Sequence, residues 1–154
     1  MNDLDAIDRA ILATVQQDGR ISNARLAERV ALSETPCARR LKRLEADGYI
    51  GGYRAALSRR ALGLGVMAFV HVRFAVHDRA LSERFEREIQ AIPRIVSCHN
   101  ISGSADYLLT IVARDLDDYG TFTRDVLRAL PGVSSIESML SLREVKPDAG
   151  VPLL

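Results

Sequence analysis

The chain has 154 residues, of which 47% are hydrophobic and 27% charged, and its formal net charge is +1. This composition is normal for a soluble globular protein of one ordinary domain or two small ones. No run of about 18 apolar residues occurs, so we expect no membrane-spanning helix. The acidic first ten residues lack the basic and apolar regions of a secretory signal. Cys37 and Cys98 are too few for a disulfide framework, which favours a cytoplasmic protein.

The near-neutral net charge conceals an asymmetry between the two halves. Residues 1–60 carry 11 basic and 8 acidic side chains, whereas residues 61–154 carry 10 basic and 12 acidic ones. Four of the basic residues lie within 33–43. A local basic stripe of this kind favours contact with a DNA groove over general binding to polyanions. The three histidines, His71, His77 and His99, have no HxxxH or CxxC partner, so we predict no metal site.

The N-terminal residues predict three short helices in succession. The first contains an apolar stripe at helical spacing, formed by Leu4, Ile7, Ile11 and Val15, and Gly19 can end it. The second follows Ser22 and turns Leu26, Ala27 and Val30 inward. After the turn Ala31-Leu32, Ser33 can cap a third helix that Gly48 ends, with Cys37, Leu41 and Leu44 buried. This order is typical of a helix-turn-helix unit.

The third helix presents a basic face opposite its buried stripe. Residues at the start of a recognition helix approach base edges, and Arg can pair with guanine through two hydrogen bonds. Lys42 and Arg43 are better placed to neutralise phosphates. The predicted DNA-contacting residues are Ser33, Glu34, Thr35, Ala38, Arg39, Arg40, Lys42 and Arg43. The alternative is a solvated basic face on a three-helix packing unit. Cys37 has no adjacent histidine to activate it, so we interpret it as a small buried residue.

A change of pattern separates this unit from the rest of the chain. Residues 50–57 predict a short strand or a linker, and the glycine-containing segment 58–65 breaks both periodicities. Gly63 and Gly65 form no phosphate loop, since no Lys-Ser/Thr and no helix follow them. The predicted organisation is a DNA-binding domain over 1–49, a strand or linker over 50–65 and a second domain over 66–154.

The second half alternates between strand and helix patterns. Alternating residues predict strands over 66–76, 95–101, 107–114 and 133–145, and helical spacing predicts helices over 81–92 and 116–130. The order β-α-β-β-α-β is that of a ferredoxin-like unit, so the predicted class is α+β. One face of such a sheet stays open. Because that face carries several apolar residues, we expect a second subunit to cover it.

Several motifs occur together in one order along the chain. They are LDAIDRAIL, DGRIS, LAERVALS, TPC, RRLKRLEADGYIGGY, SGSADYLL and a final SLREVK. In this order the chain resembles the Lrp/AsnC family of bacterial and archaeal transcriptional regulators, nearly from end to end. The resemblance implies an N-terminal, winged-helix-like helix-turn-helix domain and a C-terminal ferredoxin-like domain that senses a ligand. It also implies dimers built by pairing the sheets, their assembly into tetramers or octamers, and an amino-acid effector bound between dimers.

The resemblance places effector contacts on a G-x-x-D-Y turn and on the C-terminal strand. These contacts correspond to Ser102, Gly103, Asp106 and Tyr107, and to Met139, Leu140 and Ser141; Asn100 and Thr121 are weaker candidates chosen for their polarity. From the residues alone, amides exposed at Gly103 suit a carboxylate, and Asp106 suits an ammonium group. The alternatives are that Gly103 and Asp106 only form a turn and that Met139 is ordinary core.

Three functions are compatible with these patterns. The first is a regulator that binds palindromic promoter DNA as a homo-oligomer and responds to an amino acid, with no other cofactor. The second is an enzyme or an enzyme's amino-acid-binding regulatory subunit, although no catalytic triad, metal ligand set or phosphate loop is found. The third is an architectural DNA-binding protein without an effector. Met139 and Leu140 favour an aliphatic or sulfur-containing effector, and the sequence does not name it.

Overall fold

A computed structural model describes residues 4–76 and 78–153. The chain forms two compact units. The first runs to Ala56 and also includes the segment that starts at Lys146, and the second is Leu57–Val145. The sequence prediction grouped residues 146–154 with the second domain, whereas in the structure the described part of this segment packs with the first unit. None of the described helices is long and apolar enough to cross a membrane.

The first unit contains three α-helices, α1 Ala6–Gln17, α2 Asn23–Arg29 and α3 Glu34–Ala46. Their apolar stripes meet in one cluster whose most deeply buried members are Ile11, Leu26, Cys37 and Leu44. Cys37 is fully buried, in agreement with its interpretation as a small core residue, and burial raises the pKa of its thiol. Amphipathic helices this short depend on such packing for their stability.

Two of the three helices of the first unit begin with a side-chain cap. Asp5 and Asp8 form a reciprocal capping box at α1, and Ser22 accepts a hydrogen bond from the Arg25 N–H at α2. Ser33 occupies the N-cap position of α3, but its side chain makes no capping hydrogen bond, so the predicted Ser33 side-chain cap is wrong. The preceding turn places Ala31 at φ 54°, a left-handed conformation that costs a non-glycine residue energy.

Residues 50–58 contain no strand, so the linker alternative holds for this segment. The second unit contains β1 Val66–Phe74, α4 Arg79–Gln90, β2 Ile95–Asn100, β3 Tyr107–Ala113, α5 Leu116–Asp125 and β4 Val133–Leu140. The strands form one antiparallel sheet in the order β2-β3-β1-β4. This arrangement confirms the predicted βαββαβ, α+β architecture.

Two elements end five residues earlier than the sequence indicates. β4 ends at Leu140 instead of residue 145, because its partner β1 begins at Val66 and the last pairing bond runs from the Ser141 N–H to the Met67 carbonyl. Leu142, beyond that bond, is 93% exposed. The helix α5 ends at Asp125, and residues Leu127–Ala129 form a separate 3-10 turn.

Both helices of the second unit pack on the same face of the sheet. Val70 and Leu109 from the sheet are fully buried against Phe85 of α4 and Phe122 of α5. The other face is only partly covered within one chain. Phe69, on that face of β1, remains 38% exposed.

Candidate functional site

The basic face predicted for α3 is exposed in the structure. Thr35, Arg39, Lys42 and Arg43 all lie on the surface of the unit, as do Ser33 and Glu34 at the helix start. Ala38 and Arg40 are partly buried at the flank of this face. The helix therefore presents a continuous polar and basic surface, which is the shape a major groove accepts.

Two cations of this face are held by α1. Asp8 of α1 is 2% exposed, and its carboxylate accepts hydrogen bonds from Arg40 and from Arg43. The Arg40 Nη1 lies 2.9 Å from Asp8 Oδ1 and also donates to Asp5. Hydrogen bonds to these two carboxylates raise the pKa of Arg40. The pKa of Asp5 is lowered, first by the Asp8 N–H and then by Arg40.

Arg39 and Lys42 differ from these two residues. Neither side chain forms an ion pair or a side-chain hydrogen bond with any residue that the structure describes. Their charges are therefore available to a polyanion, whereas the charge of Arg43 is partly compensated by Asp8. The four predicted DNA-contacting cations thus fall into two groups. Arg39 and Lys42 have no ionic partner among the described residues, whereas Arg40 and Arg43 are held by Asp8 of α1.

Asp8 was missed by the sequence reasoning, although a signal for it was present. It stands four residues after Leu4 and three before Ile11, on the apolar stripe of α1. A carboxylate at such a position is buried on the helix's inner face, and a buried charge requires a partner. The basic stripe of α3 supplies that partner.

The predicted effector residues of the β2–β3 loop lie together. The Asn100 Nδ2 donates to the Asp106 carbonyl, and the Ile101 N–H donates to the same oxygen. The Asp106 Oδ2 accepts from the Phe74 N–H at 2.7 Å, which ties the loop to the end of β1. Ser102 and Gly103 are exposed at the tip, and Gly103 has φ +125°, a conformation open to glycine.

Tyr107 follows this loop, but its side chain belongs to the core. It is 3% exposed, and its hydroxyl donates to the Glu86 Oε1 at 2.8 Å. Burial and the Glu86 carboxylate raise the pKa of Tyr107. Burial, with a smaller contribution from Glu86, also raises the pKa of the neighbouring Cys98 thiol to about 11.

The remaining effector candidates lie elsewhere in the second unit. Met139 pairs with Phe69 and Leu140 with Ala68 on the edge strand β4, and Ser141 follows immediately. The sheet order separates β4 from β2 by two strands, about 14 Å at the usual strand spacing.

Thr121 lies on α5 and lines a groove with Arg94 and Phe122, beside the start of β2 and not beside the loop at its end. In this groove Arg94 and Arg114 both contact the Asp118 carboxylate. The nine effector candidates therefore occupy three places within one chain.

Among residues 4–76 and 78–153, no three His, Cys, Asp or Glu side chains are placed to hold an ion. His77, one of the three histidines considered from the sequence, lies outside the described residues.

Two family models match the chain, and together they span most of it. Residues 4–50 match a winged helix-turn-helix DNA-binding domain, and residues 67–151 match the Lrp/AsnC ligand binding domain. The two matches correspond to the helical unit and to the βαββαβ sheet described above.

Similar proteins give the same assignment. The leucine-responsive regulatory proteins of Salmonella typhimurium and Escherichia coli are each 40% identical over 144 residues, 94% of this chain and 88% of theirs.

Among solved structures, a transcriptional regulator from Neisseria meningitidis, in complex with L-Met, superposes with a TM-score of 0.94 at 37% identity, covering 98% of this chain and 97% of its own. An AsnC family regulator from Agrobacterium tumefaciens superposes with a TM-score of 0.91 at 33% identity, covering 97% of both chains. The chain belongs to the Lrp/AsnC family and is a DNA-binding transcriptional regulator, not an enzyme, that combines a helix-turn-helix domain with an Lrp/AsnC ligand-binding domain.

Proposed function

We propose that the protein binds palindromic promoter DNA as a dimer or a higher assembly in the cytoplasm, and that an amino acid alters this binding. The observation that carries the proposal is the exposed face of α3, on which Arg39 and Lys42 have no partner among the described residues. Two copies of this helix, related by a dimer axis, would meet half-sites one helical turn apart or a multiple of it.

Within that face we assign different roles to individual residues. Ser33, Glu34, Thr35, Ala38 and Arg39 lie in the first two turns of α3 and face the bases. Lys42, further along the helix, meets a phosphate. Arg40 and Arg43 are positioning residues, because Asp8 holds their guanidinium groups against α1.

The open face of the sheet is the proposed dimer surface. Phe69 on β1 and Met139 on β4 are opposite each other in the register and are 38% and 42% exposed. Leu108 of β3 pairs with His71 on the same side and is partly buried. An apolar row across several strands is more stable when a second sheet covers it.

The effector we propose is an amino acid bound where chains meet. In support, the candidate residues of a single chain are split between the β2–β3 loop, strand β4 and α5, so no one of these places holds them all. The regulator from Neisseria meningitidis was crystallised with L-Met, and Met139 and Leu140 offer an apolar surface to a similar side chain.

The experiment is selection of duplexes from a random double-stranded DNA library by the purified full-length protein, with and without each of the twenty amino acids. We expect enrichment of an imperfect palindrome, binding that weakens as salt rises, and a changed affinity with one or a few amino acids. Absence of any enriched sequence would refute the DNA-reading role. Enrichment that no amino acid affects would instead favour an architectural DNA-binding protein.

A further inference from the structure

The segment after residue 145 folds onto the DNA-binding unit, where the side chain of Gln16 binds its backbone. The Gln16 Nε2 donates to the Val151 carbonyl at 3.0 Å, and the Val151 N–H donates to the Gln16 Oε1 at 3.0 Å. One amide thus satisfies both backbone groups of one residue, as a neighbouring strand would. The contact joins residues 135 positions apart in the sequence.

The backbone conformation of Gly150, the residue before Val151, permits this contact. Gly150 has φ +82°, and a Cβ atom placed there would lie 2.5 Å from the Gln16 Cδ. Its N–H donates to the Asp148 Oδ1 at 2.9 Å, which stabilises the turn. A side chain at position 150 would be strained at this φ and would push the Gln16 amide out of its contact, so glycine is the residue that allows the backbone to reach Gln16.

Beyond Val151 the segment contributes to the apolar packing of the unit. Leu153 is partly buried against the cluster that includes Leu12 and Val15 of α1. It also borders a cavity of about 380 Å³ whose walls include Tyr49 and Tyr53. The side chain of Val151 is 70% exposed, so the attachment depends on its backbone and on Leu153.

We propose that the surface around Gln16 is a docking site whose occupant is this chain's own segment 148–153, and that docking links the effector strand to DNA binding. The chain leaves the first unit after Ala56 and returns to it at Lys146. The docked segment is therefore a second covalent connection between the units, besides the linker. Only nine positions separate Ser141, at the end of β4, from Gly150.

The coupling part of this inference rests on the proposed function, because it takes Met139, Leu140 and Ser141 as effector contacts. An effector that binds better when the segment is docked shifts the chain towards the docked state, and docking then raises effector affinity by the same factor. The docking part rests only on the contacts of Gln16, Gly150 and Leu153.

Docking is tested in the full-length protein by amide hydrogen exchange at Val151. Gln16→Ala removes both hydrogen bonds, and we expect exchange about two- to tenfold faster than in the unaltered protein. The matched control is Gln90→Ala, at an exposed helix end in the other unit. Equal exchange in Gln16→Ala and the unaltered protein would overturn docking.

A second pair of variants separates docking from a general loss of stability. Gly150→Ala should accelerate exchange at Val151, and combining it with Gln16→Ala should add little, since both remove the same contact. Gly48→Ala imposes a similar left-handed strain at φ +79°, with open space around it, and should leave exchange at Val151 unchanged. Full additivity of the first two substitutions would contradict a shared contact.

Short-range crosslinking shows whether the docked segment belongs to the same chain as Gln16 or to a second copy. With Gln17→Cys and Ala149→Cys, at two exposed positions that line one groove beside the Gln16 contact, a bismaleimide reagent should give a crosslink within one chain on a denaturing gel. A crosslinked dimer that the unaltered protein does not form would assign the segment to a second copy and overturn the proposal.

The coupling is measured as the effector-induced change in DNA affinity. We expect this change to shrink at least twofold in Gln16→Ala and to persist in Gln90→Ala. If the unaltered protein binds no preferred DNA, the proposed function fails while the exchange result still decides docking. If it binds DNA and responds to effector, and Gln16→Ala responds equally, the coupling is refuted.

Discussion

The carboxylate of Asp8 in α1 and the guanidinium of Arg40 in α3 lie 2.9 Å apart, with Asp8 almost completely buried. A second guanidinium, that of Arg43, contacts the other oxygen of the same carboxylate. Because both cations come from α3, this one aspartate fixes how the basic helix is oriented on α1. The contact is the main reason to treat Arg40 and Arg43 as positioning residues.

Asp8→Asn should therefore destabilise the DNA-binding unit. It weakens two charge-assisted hydrogen bonds while leaving the partly exposed arginines in place, so we expect a loss of about 1–3 kcal/mol in the free energy of unfolding. Chemical denaturation followed by circular dichroism measures it. Asp47→Asn, an exposed position at the end of α3, is the control and should change stability little. Equal stability of the two variants would remove the structural role of Asp8.

Arg39→Ala and Lys42→Ala should have different effects on DNA binding. If Arg39 reads a base, its loss reduces discrimination between the selected site and a variant site by about 1–3 kcal/mol. If Lys42 neutralises a phosphate, its loss weakens all sites alike and lowers the slope of log affinity against log salt by about 0.9. Fluorescence anisotropy at several salt concentrations measures both. An unchanged site preference in Arg39→Ala would exclude it from base reading.

Acid should weaken the second unit through Asp118. The Arg114 side chain and backbone N–H, followed by Arg94, hold the pKa of this carboxyl well below its ordinary value. A pKa lowered in the folded state means that the stabilisation is complete above the unfolded value, near 3.8. It is lost as the pH falls below that value. Between about pH 5 and pH 2, the midpoint temperature of thermal unfolding should fall less steeply in Asp118→Asn than in the unaltered protein. A curve parallel to that of the unaltered protein would contradict this assignment.

Phe69→Asp should weaken self-association without preventing the sheet from folding, since Phe69 lies on the open face. Placing a charge where an apolar side chain becomes buried should raise the dimer dissociation constant by at least about tenfold. Sedimentation velocity over a concentration series measures this constant. Leu62→Asp, at an apolar position before β1 that is 62% exposed, serves as the control. If both variants associate like the unaltered protein, the sheet face is not the dimer surface.

The sequence predicted the architecture well because the spacing of apolar residues and the residues that end helices and strands are local features of the chain. Alternation over β1 and helical spacing over α4 were sufficient to identify these elements, and the exposure of Thr35, Arg39, Lys42 and Arg43 followed from helical geometry. The ends of elements depend on partners distant in the chain. β4 stops at Leu140 because β1 begins at Val66, which no pattern within residues 133–145 records.

The interactions that the sequence did not reveal are those between distant polar groups. The pairing of Asp8 with Arg40 and Arg43 joins residues 32 and 35 positions apart. The contact between Gln16 and Val151 joins opposite ends of the chain. In the same way, Tyr107 could be placed next to the effector turn by its motif, but only the packing shows that its side chain lies in the core, with its hydroxyl bonded to Glu86.

The return of residues 146–153 to the helical unit has a consequence for biosynthesis. The three helices emerge from the ribosome long before Leu153, the last described residue that packs on their core. Until then the nascent helix-turn-helix lacks part of its apolar packing. Folding of this unit is therefore completed only after the whole second unit has been translated.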